Sequence, residues 1–419
     1  MKTVYLFFAA HRYWQNEDEL QAAYAELSAL SGDAEHHLIT ESSPDIAIDA
    51  DCAVLIPMSG AIQKRILDTA ARYESIILYG AYIRGNASPS VCDQMLRCNT
   101  APALMDTWGV LHRTHARASI VLNPGELAET LTVLEAYHHV THAALLKIGN
   151  TEPWVVSNAS DSSVYTQKLG VKIIPVEQSE LAECYAGTTE QDALPWIRWF
   201  REQSTGCAEP TEADMLNACR MACALVTLLE KYHADGAAIA CFDLLKTGTT
   251  ACLGVSFLND CTDKVISCEG DMDSAVTMLL MKKLTTTKLW MANPGLQPDG
   301  TINFSHCTAP LCCIGSNPLP CTLRSHHESG IGVSVQVELP VGQTLTACRI
   351  SDEAGSMTIH RGVSVAGPYE PACRTQMHVK LDDFSHYLNT ALGCHQVFAF
   401  EDITGRLQKL ADLFGLQVL

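Results

Sequence analysis

Between residues 3 and 80 four short apolar runs, TVYLFFAA, HHLIT, CAVLIPM and SIILYG, alternate with stretches of helical character such as EDELQAAYAELSAL and AIQKRILDTAARY. Short runs rich in β-branched and aromatic residues suit strands, and a helix between each pair returns the chain to the same end of the sheet. This order predicts a parallel sheet with crossover helices. RASIVLN and the proline-initiated PGELAETLTVLEAYHHV extend it to about residue 142.

A second α/β pattern starts at ALLKIG and continues through GVKIIPV and a helix around SELAECY. In TEADMLNACRMACALVTLLEKY, the start TEAD resembles a capping box with Asp in the place of Glu. Met215, Ala218, Cys219, Ala222, Leu225, Val226 and Leu229 fall at helical spacing and predict one buried face, so its Met and Cys belong to a core. AAIACFDL, CLGVSFL and KVISCE read as strands. After about residue 288 the period changes to two in GVSVQVELP, QTLTACRIS, SMTIHRGVSVAGPY and RTQMHVKL, with DITGRLQKLADLFG as a closing helix. The expected fold class is therefore α/β: two Rossmann-like α/β domains, 1–145 and 146–287, then a mainly antiparallel β-barrel-like domain, 288–419.

Composition narrows the partners. A formal net charge of −19, with no basic cluster longer than Lys282–Lys283, disfavours nucleic acid and anionic lipid surfaces and suits a small neutral ligand or a metal cation. Eighteen cysteines in 419 residues lack both metal-ligand spacing and the density of a disulfide scaffold. They read as reduced, buried side chains, which implies cytoplasm. The apolar part of MKTVYLFFAA is only about seven residues long, short for a signal peptide and better explained as a first strand. No run approaches the roughly 20 apolar residues of a membrane span. Neither a P-loop nor GxGxxG occurs.

The segment VISCEGDMDSA places three acids at a strand exit. Asp271 or Asp273 is positioned to cap the helical run SAVTMLLMKKL. Glu269 comes too early for that and stands where open α/β sheets keep their ligand cleft. Downstream, LWMANPGLQPDGTINFSHCTAP reads as a strand, a turn around Asn293-Pro294-Gly295, a hairpin loop at Asp299-Gly300, and a strand ending at His306. His306 and His395 each sit at a strand end, where a histidine is either a ligand or a satisfied structural group. His326-His327 reads as solvated, and Arg374 opens a strand.

Taken in order, CExD at a strand end, MANPG, SHCTAP, CRTQ and GCH…F…EDITGRLQKLADLFG resemble the L-fucose isomerase family, nearest its shorter bacterial and archaeal fucose isomerase-like members. The resemblance runs from about residue 146 onward and implies a homo-oligomeric enzyme that interconverts aldoses and ketoses with a divalent metal, typically manganese. It further implies Glu269 as metal ligand and base, His395 as a ligand, and His306 and Arg374 facing the sugar. The third ligand of that pattern, an aspartate, falls on Asn293. An amide can offer its oxygen to a hard cation but cannot carry a proton. Glu269 working with a water, Asp271 or Asp299, a related epimerisation, and a lapsed isomerase that binds sugar without turnover therefore all stand as readings. A periplasmic sugar receptor would need a better signal peptide.

Overall fold

A computed structural model describes residues 1–44, 48–158 and 161–419, which fall into two compact units, Met1–Glu135 and Ala136–Leu419. In the first, the strands are β1 (Thr3–Ala9), β2 (Glu35–Thr40), β3 (Cys52–Pro57), β4 (Ser75–Tyr79) and β5 (Ala118–Val121). They form one parallel sheet in the order β2-β1-β3-β4-β5. The helices are α1 (Glu17–Leu27), α2 (Gln63–Ala70), α3 (Pro89–Arg97), α4 (Thr100–Thr114) and α5 (Pro124–His142), the last carrying the chain into the second unit. β3 and β4 are buried along their whole length, which is why they read as unbroken apolar runs rather than alternating ones.

The second unit opens with β6 (Ala144–Ile148), α6 (Ser163–Leu169), β7 (Lys172–Val176), α7 (Gln178–Gly187), α8 (Glu190–Gln203), β8 (Gly206–Cys207) and α9 (Glu212–Lys231). β9 (Gly236–Ile239), a 3-10 turn (Cys241–Thr247), α10 (Cys252–Cys261), β10 (Val265–Ser267) and α11 (Met272–Lys282) follow. Its parallel sheet has the order β10-β9-β6-β7. Thr211 and Asp214 form the expected capping box on α9. The predicted buried face of α9 is present except for Val226, which is half-buried.

The rest is mostly antiparallel: β11 (Trp290–Leu296), β12 (Ile302–His306), β13 (Cys321–Arg324), β14 (Ser334–Val337), β15 (Thr344–Ser351), β16 (Ser356–Val365), β17 (Thr375–Leu381), α12 (Phe384–Asn389), β18 (Gln396–Ala399), α13 (Thr404–Phe414) and β19 (Gln417–Val418). Six of these strands close into an antiparallel barrel, β15-β18-β11-β12-β17-β16 and back to β15. Alternate residues fill it: Trp290 and Ala292, Ile302 and Phe304, Leu345 and Ala347, Met377 and Val379. Helix α11 is buried on every side from Met272 to Met281, as a helix enclosed by protein must be. Ile350 of β15 donates its N–H to Thr277 of α11 at 3.0 Å, which ties that helix to the barrel wall.

Three expectations are corrected. CLGVSFL is not a strand but the start of α10. A short apolar run carries no period to separate a strand from a buried helix, and α10 is nearly enclosed, with Gly254 against Ala222. Asn293-Pro294-Gly295 is not a turn but lies within β11, paired with Ser305, Phe304 and Asn303. Pairing with β18 stops at Ala292, so Pro294 meets an open edge where a missing N–H is tolerated. His326 is not simply solvated: it is half-buried, lies edge-on to Phe242, and its Nδ1 is 3.0 Å from Ser329 Oγ.

Candidate metal centre

Glu269 leaves β10 with φ +61°, a left-handed conformation rare for a residue with a side chain, and Gly270 follows at φ +62°. At Gly270 only glycine fits, because a Cβ there would stand 2.7 Å from Thr151 Cα. The turn is fixed from three sides. Glu269 N–H meets Cys241 Sγ at 3.4 Å, Glu152 N–H donates to Glu269 O at 2.9 Å, and Gly270 N–H donates to Ile239 O at 2.8 Å. Strain held in place by its surroundings, at a strand exit, marks a position whose side-chain direction matters.

That direction is toward two histidines. Glu269 Oε1 lies 3.3 Å from His395 Nε2 and 3.8 Å from His306 Nε2. One ligand atom from each of the three residues lies within 4.8 Å of the others, and the group is buried. The other carboxylate oxygen, Oε2, accepts from the indole N–H of Trp154 at 2.7 Å. His306 closes β12 with Nδ1 2.8 Å from Thr308 Oγ1. His395 immediately precedes β18 and is fully buried, with Nδ1 2.8 Å from Asp271 Oδ2.

Asp271 has two tasks. Its Oδ1 accepts from Ser274 N–H at 2.9 Å and caps α11, as one of the two expected aspartates should. Its Oδ2 gathers His395 Nδ1, Arg349 Nη1 at 2.9 Å and Ser274 Oγ at 2.9 Å. Arg349, from β15, is entirely buried and also lies 3.6 Å from Asp273 Oδ2. Burial would raise the Asp271 carboxyl, but Arg349 and His395 hold it well below the usual carboxylate range. Burial also works against ionised Glu269, and His306 and His395 outweigh it. Burial disfavours a charged His395, yet Asp271, Cys394 and Glu269 push it well above the ordinary imidazole value.

The arrangement fits a cation. An ionised Asp271 holds a proton of His395 on Nδ1, so Nε2, which faces the other two residues, is the nitrogen a cation would take on displacing its proton. Nε2 is buried and has no hydrogen-bond partner among the described residues, although a carboxylate oxygen is 3.3 Å away. The two histidine nitrogens thus converge on the carboxylate oxygen, at 3.3 and 3.8 Å. Ligand atoms about 2.1 Å from one ion stand roughly 3 to 3.5 Å apart; the Glu269–His395 spacing of 3.3 Å lies in that range and the Glu269–His306 spacing of 3.8 Å just beyond it. Two imidazoles and one carboxylate suit a first-row transition metal better than magnesium or calcium.

The candidates from sequence fall unevenly around this centre. Glu269 and His395 meet, and His306, expected to face a substrate, is the third member of the cluster. Asn293 is paired with Ser305, one step beyond Ala292, which pairs with Gln396, so it lies on the strand between the two histidines' segments. Strand alternation puts its side chain on the same side of β11 as Met291, whose Sδ accepts from Cys268 N–H at 3.2 Å. Arg374 donates to Ser325 O at 2.9 Å and to Ser325 Oγ at 3.0 Å, and so braces the segment after β13. Trp154 and Arg349 were not among the candidates. An arginine amid the apolar residues of TLTACRIS was a readable sign of a buried charge; nothing in PWVVS singled out Trp154. All eighteen cysteines are free, but the expectation that they are buried holds for ten of them: five are half-buried and Cys207, Cys261 and Cys394 are exposed. Among the described residues no helix is long and apolar enough to cross a membrane. No family model and no curated protein matches this chain.

Proposed function

We infer that this chain is a metal-dependent isomerase acting on a small sugar, interconverting aldose and ketose through an ene-diol. The observation that supports it best is His395 Nε2, buried and without a hydrogen-bond partner among the described residues, converging with Glu269 and His306 at a strand exit. A divalent cation held by these three, manganese by the family resemblance, would polarise the sugar's adjacent carbonyl and hydroxyl oxygens. Glu269 would take the proton from the carbon next to the carbonyl and return it to the former carbonyl carbon, while the proton of the neighbouring hydroxyl would pass, through a water, to the former carbonyl oxygen. Asn293 would offer an amide oxygen to the cation or substrate, and Arg374 would hold the rim through Ser325. A homo-oligomer in the cytoplasm accords with the resemblance and the free thiols.

A second reading, a sugar binder without turnover on the same scaffold, is favoured by Asn293, which cannot carry a proton. The test is calorimetric titration of metal-stripped protein with manganese, beside Glu269→Gln and Asn293→Asp, followed by proton exchange from sugars in deuterated water. A metal centre built on Glu269 predicts binding that Glu269→Gln abolishes and Asn293→Asp tightens. Exchange at the carbon next to the carbonyl then marks an isomerase, and its absence with sugar bound marks the binder. Unchanged affinity in Glu269→Gln would remove the centre from this site.

A further inference from the structure

Trp154 is 53% exposed, yet its indole N–H is fixed at 2.7 Å on the carboxylate that faces both histidines. A single exposed aromatic ring is ordinary by itself; what sets this one apart is its fixed hydrogen bond to the carboxylate of the cluster. One side is engaged edge-on by Phe242, with ring centres 4.9 Å apart and an interplanar angle of 83°.

The segment carrying it is fastened along its length. Thr151 Oγ1 donates to Gly270 O at 2.9 Å, Glu152 N–H holds Glu269 O, and Asn158 Oδ1 accepts from Asp273 N–H at 2.9 Å. Ser157 O accepts from Ser351 Oγ at 2.7 Å, and its hydroxyl lies 3.2 Å from Arg349 Nη2. Residues 151–158 are thus anchored to both sides of the strained turn, and the ring stands at the site as a fixed wall.

We propose that Trp154 is the specificity residue of this centre: its N–H positions Glu269, and its open face takes the C–H face of a sugar bound at the histidines. This rests on the sugar reading above. A sugar presents hydroxyls at its edge and an apolar patch of C–H groups on one face. A site with a polar metal end and one rigid aromatic wall matches both surfaces at once. The N–H contact has a separate effect. By holding Oε2, it leaves Oε1 turned toward His306 and His395, so removal of the donor frees the carboxylate to rotate out of the cluster.

The two roles separate in two variants, because Trp154→Phe keeps a ring and removes the donor, whereas Trp154→Ala removes both. The probes are manganese alone, then, on manganese-loaded protein, a panel of free aldopentoses and 6-deoxyaldohexoses, each by calorimetry. Trp154→Phe is expected to weaken manganese about tenfold and to leave the affinity of the saturated protein for sugar within about threefold. Trp154→Ala is expected to weaken sugar about tenfold further, even with manganese saturating. Sugar binding in Trp154→Ala equal to that of the parent would overturn the stacking role, and unchanged manganese affinity in Trp154→Phe would overturn the positioning role. A parent that binds manganese but no sugar in the panel would overturn the sugar reading itself, a result distinct from either.

Discussion

Replacing Asp271 with Asn tests whether the buried aspartate sets the metal centre. Its Oδ2 receives His395 Nδ1, Arg349 Nη1 and Ser274 Oγ, while Oδ1 caps α11. An amide can keep the cap only by aiming its own N–H₂ at those donors. If it turns round, the cap is lost, at about 1 kcal/mol. In either orientation Arg349 keeps, among the ion pairs of the described residues, that with Asp273 at 3.6 Å. Breaking a buried pair from one side costs about 3–5 kcal/mol, which urea unfolding would report. His395 also loses the group that fixes its tautomer, so manganese affinity should fall about 10- to 100-fold by calorimetry.

The two losses can be separated. Adding Arg349→Met removes the stranded cation, and Asp273 can then accept a proton, since burial already pushes its carboxyl up to about 6. Tyr165 Oη and Ser351 Oγ, each at 2.7 Å, still bond it. Asp271→Asn/Arg349→Met should therefore regain most of the stability and none of the metal affinity. Manganese affinity within twofold of the parent in Asp271→Asn would refute the claim that Asp271 orients a ligand.

Two further outcomes are expected. Gly270→Ala forces a Cβ to 2.7 Å from Thr151 Cα at φ +62°; it should lower stability by about 2–3 kcal/mol and weaken metal binding by turning Glu269 aside, read by unfolding and calorimetry. His360, buried in the barrel, is held down from 6.5 to about 4 by burial and by His386. Its folded value lies below its unfolded one, so its contribution is complete above pH 6.5 and is lost as pH falls toward 4. The difference between parent and His360→Phe, measured by urea unfolding at each pH, should shift against the parent by up to about 3 kcal/mol across that window.

Legibility in the sequence followed the physics of each segment. The α9 face carried a helical period, and Cys52–Pro57 was an unbroken apolar run within a repeating strand–helix alternation; both were readable. α10 carried none, because protein surrounds it and every position is free to be apolar or small. Asn293-Pro294-Gly295 has turn chemistry, but the end of β18 pairing leaves room for it on a strand edge. Glu269 was visible as an acid too early to be a cap. Its meeting with His395 was expected only from the resemblance, and His306 was expected at the sugar rather than in the cluster, since the convergence depends on how the barrel closes, which no local pattern encodes. Trp154 was silent because its role comes from one long-range hydrogen bond.

The order of the three residues along the chain has a consequence for biosynthesis. A nascent chain that has exposed Glu269 and His306 still lacks His395, which arrives only after β13 to β17 have been made. β18, the strand that His395 leads into, is also the one that seats between β11 and β15 to close the barrel. For the metal centre proposed above, the full set of three ligands therefore exists only once the strand that closes the barrel has been made, and an unfinished chain would offer a cation only a partial set. In that proposed centre, a bound ion would report a completed topology.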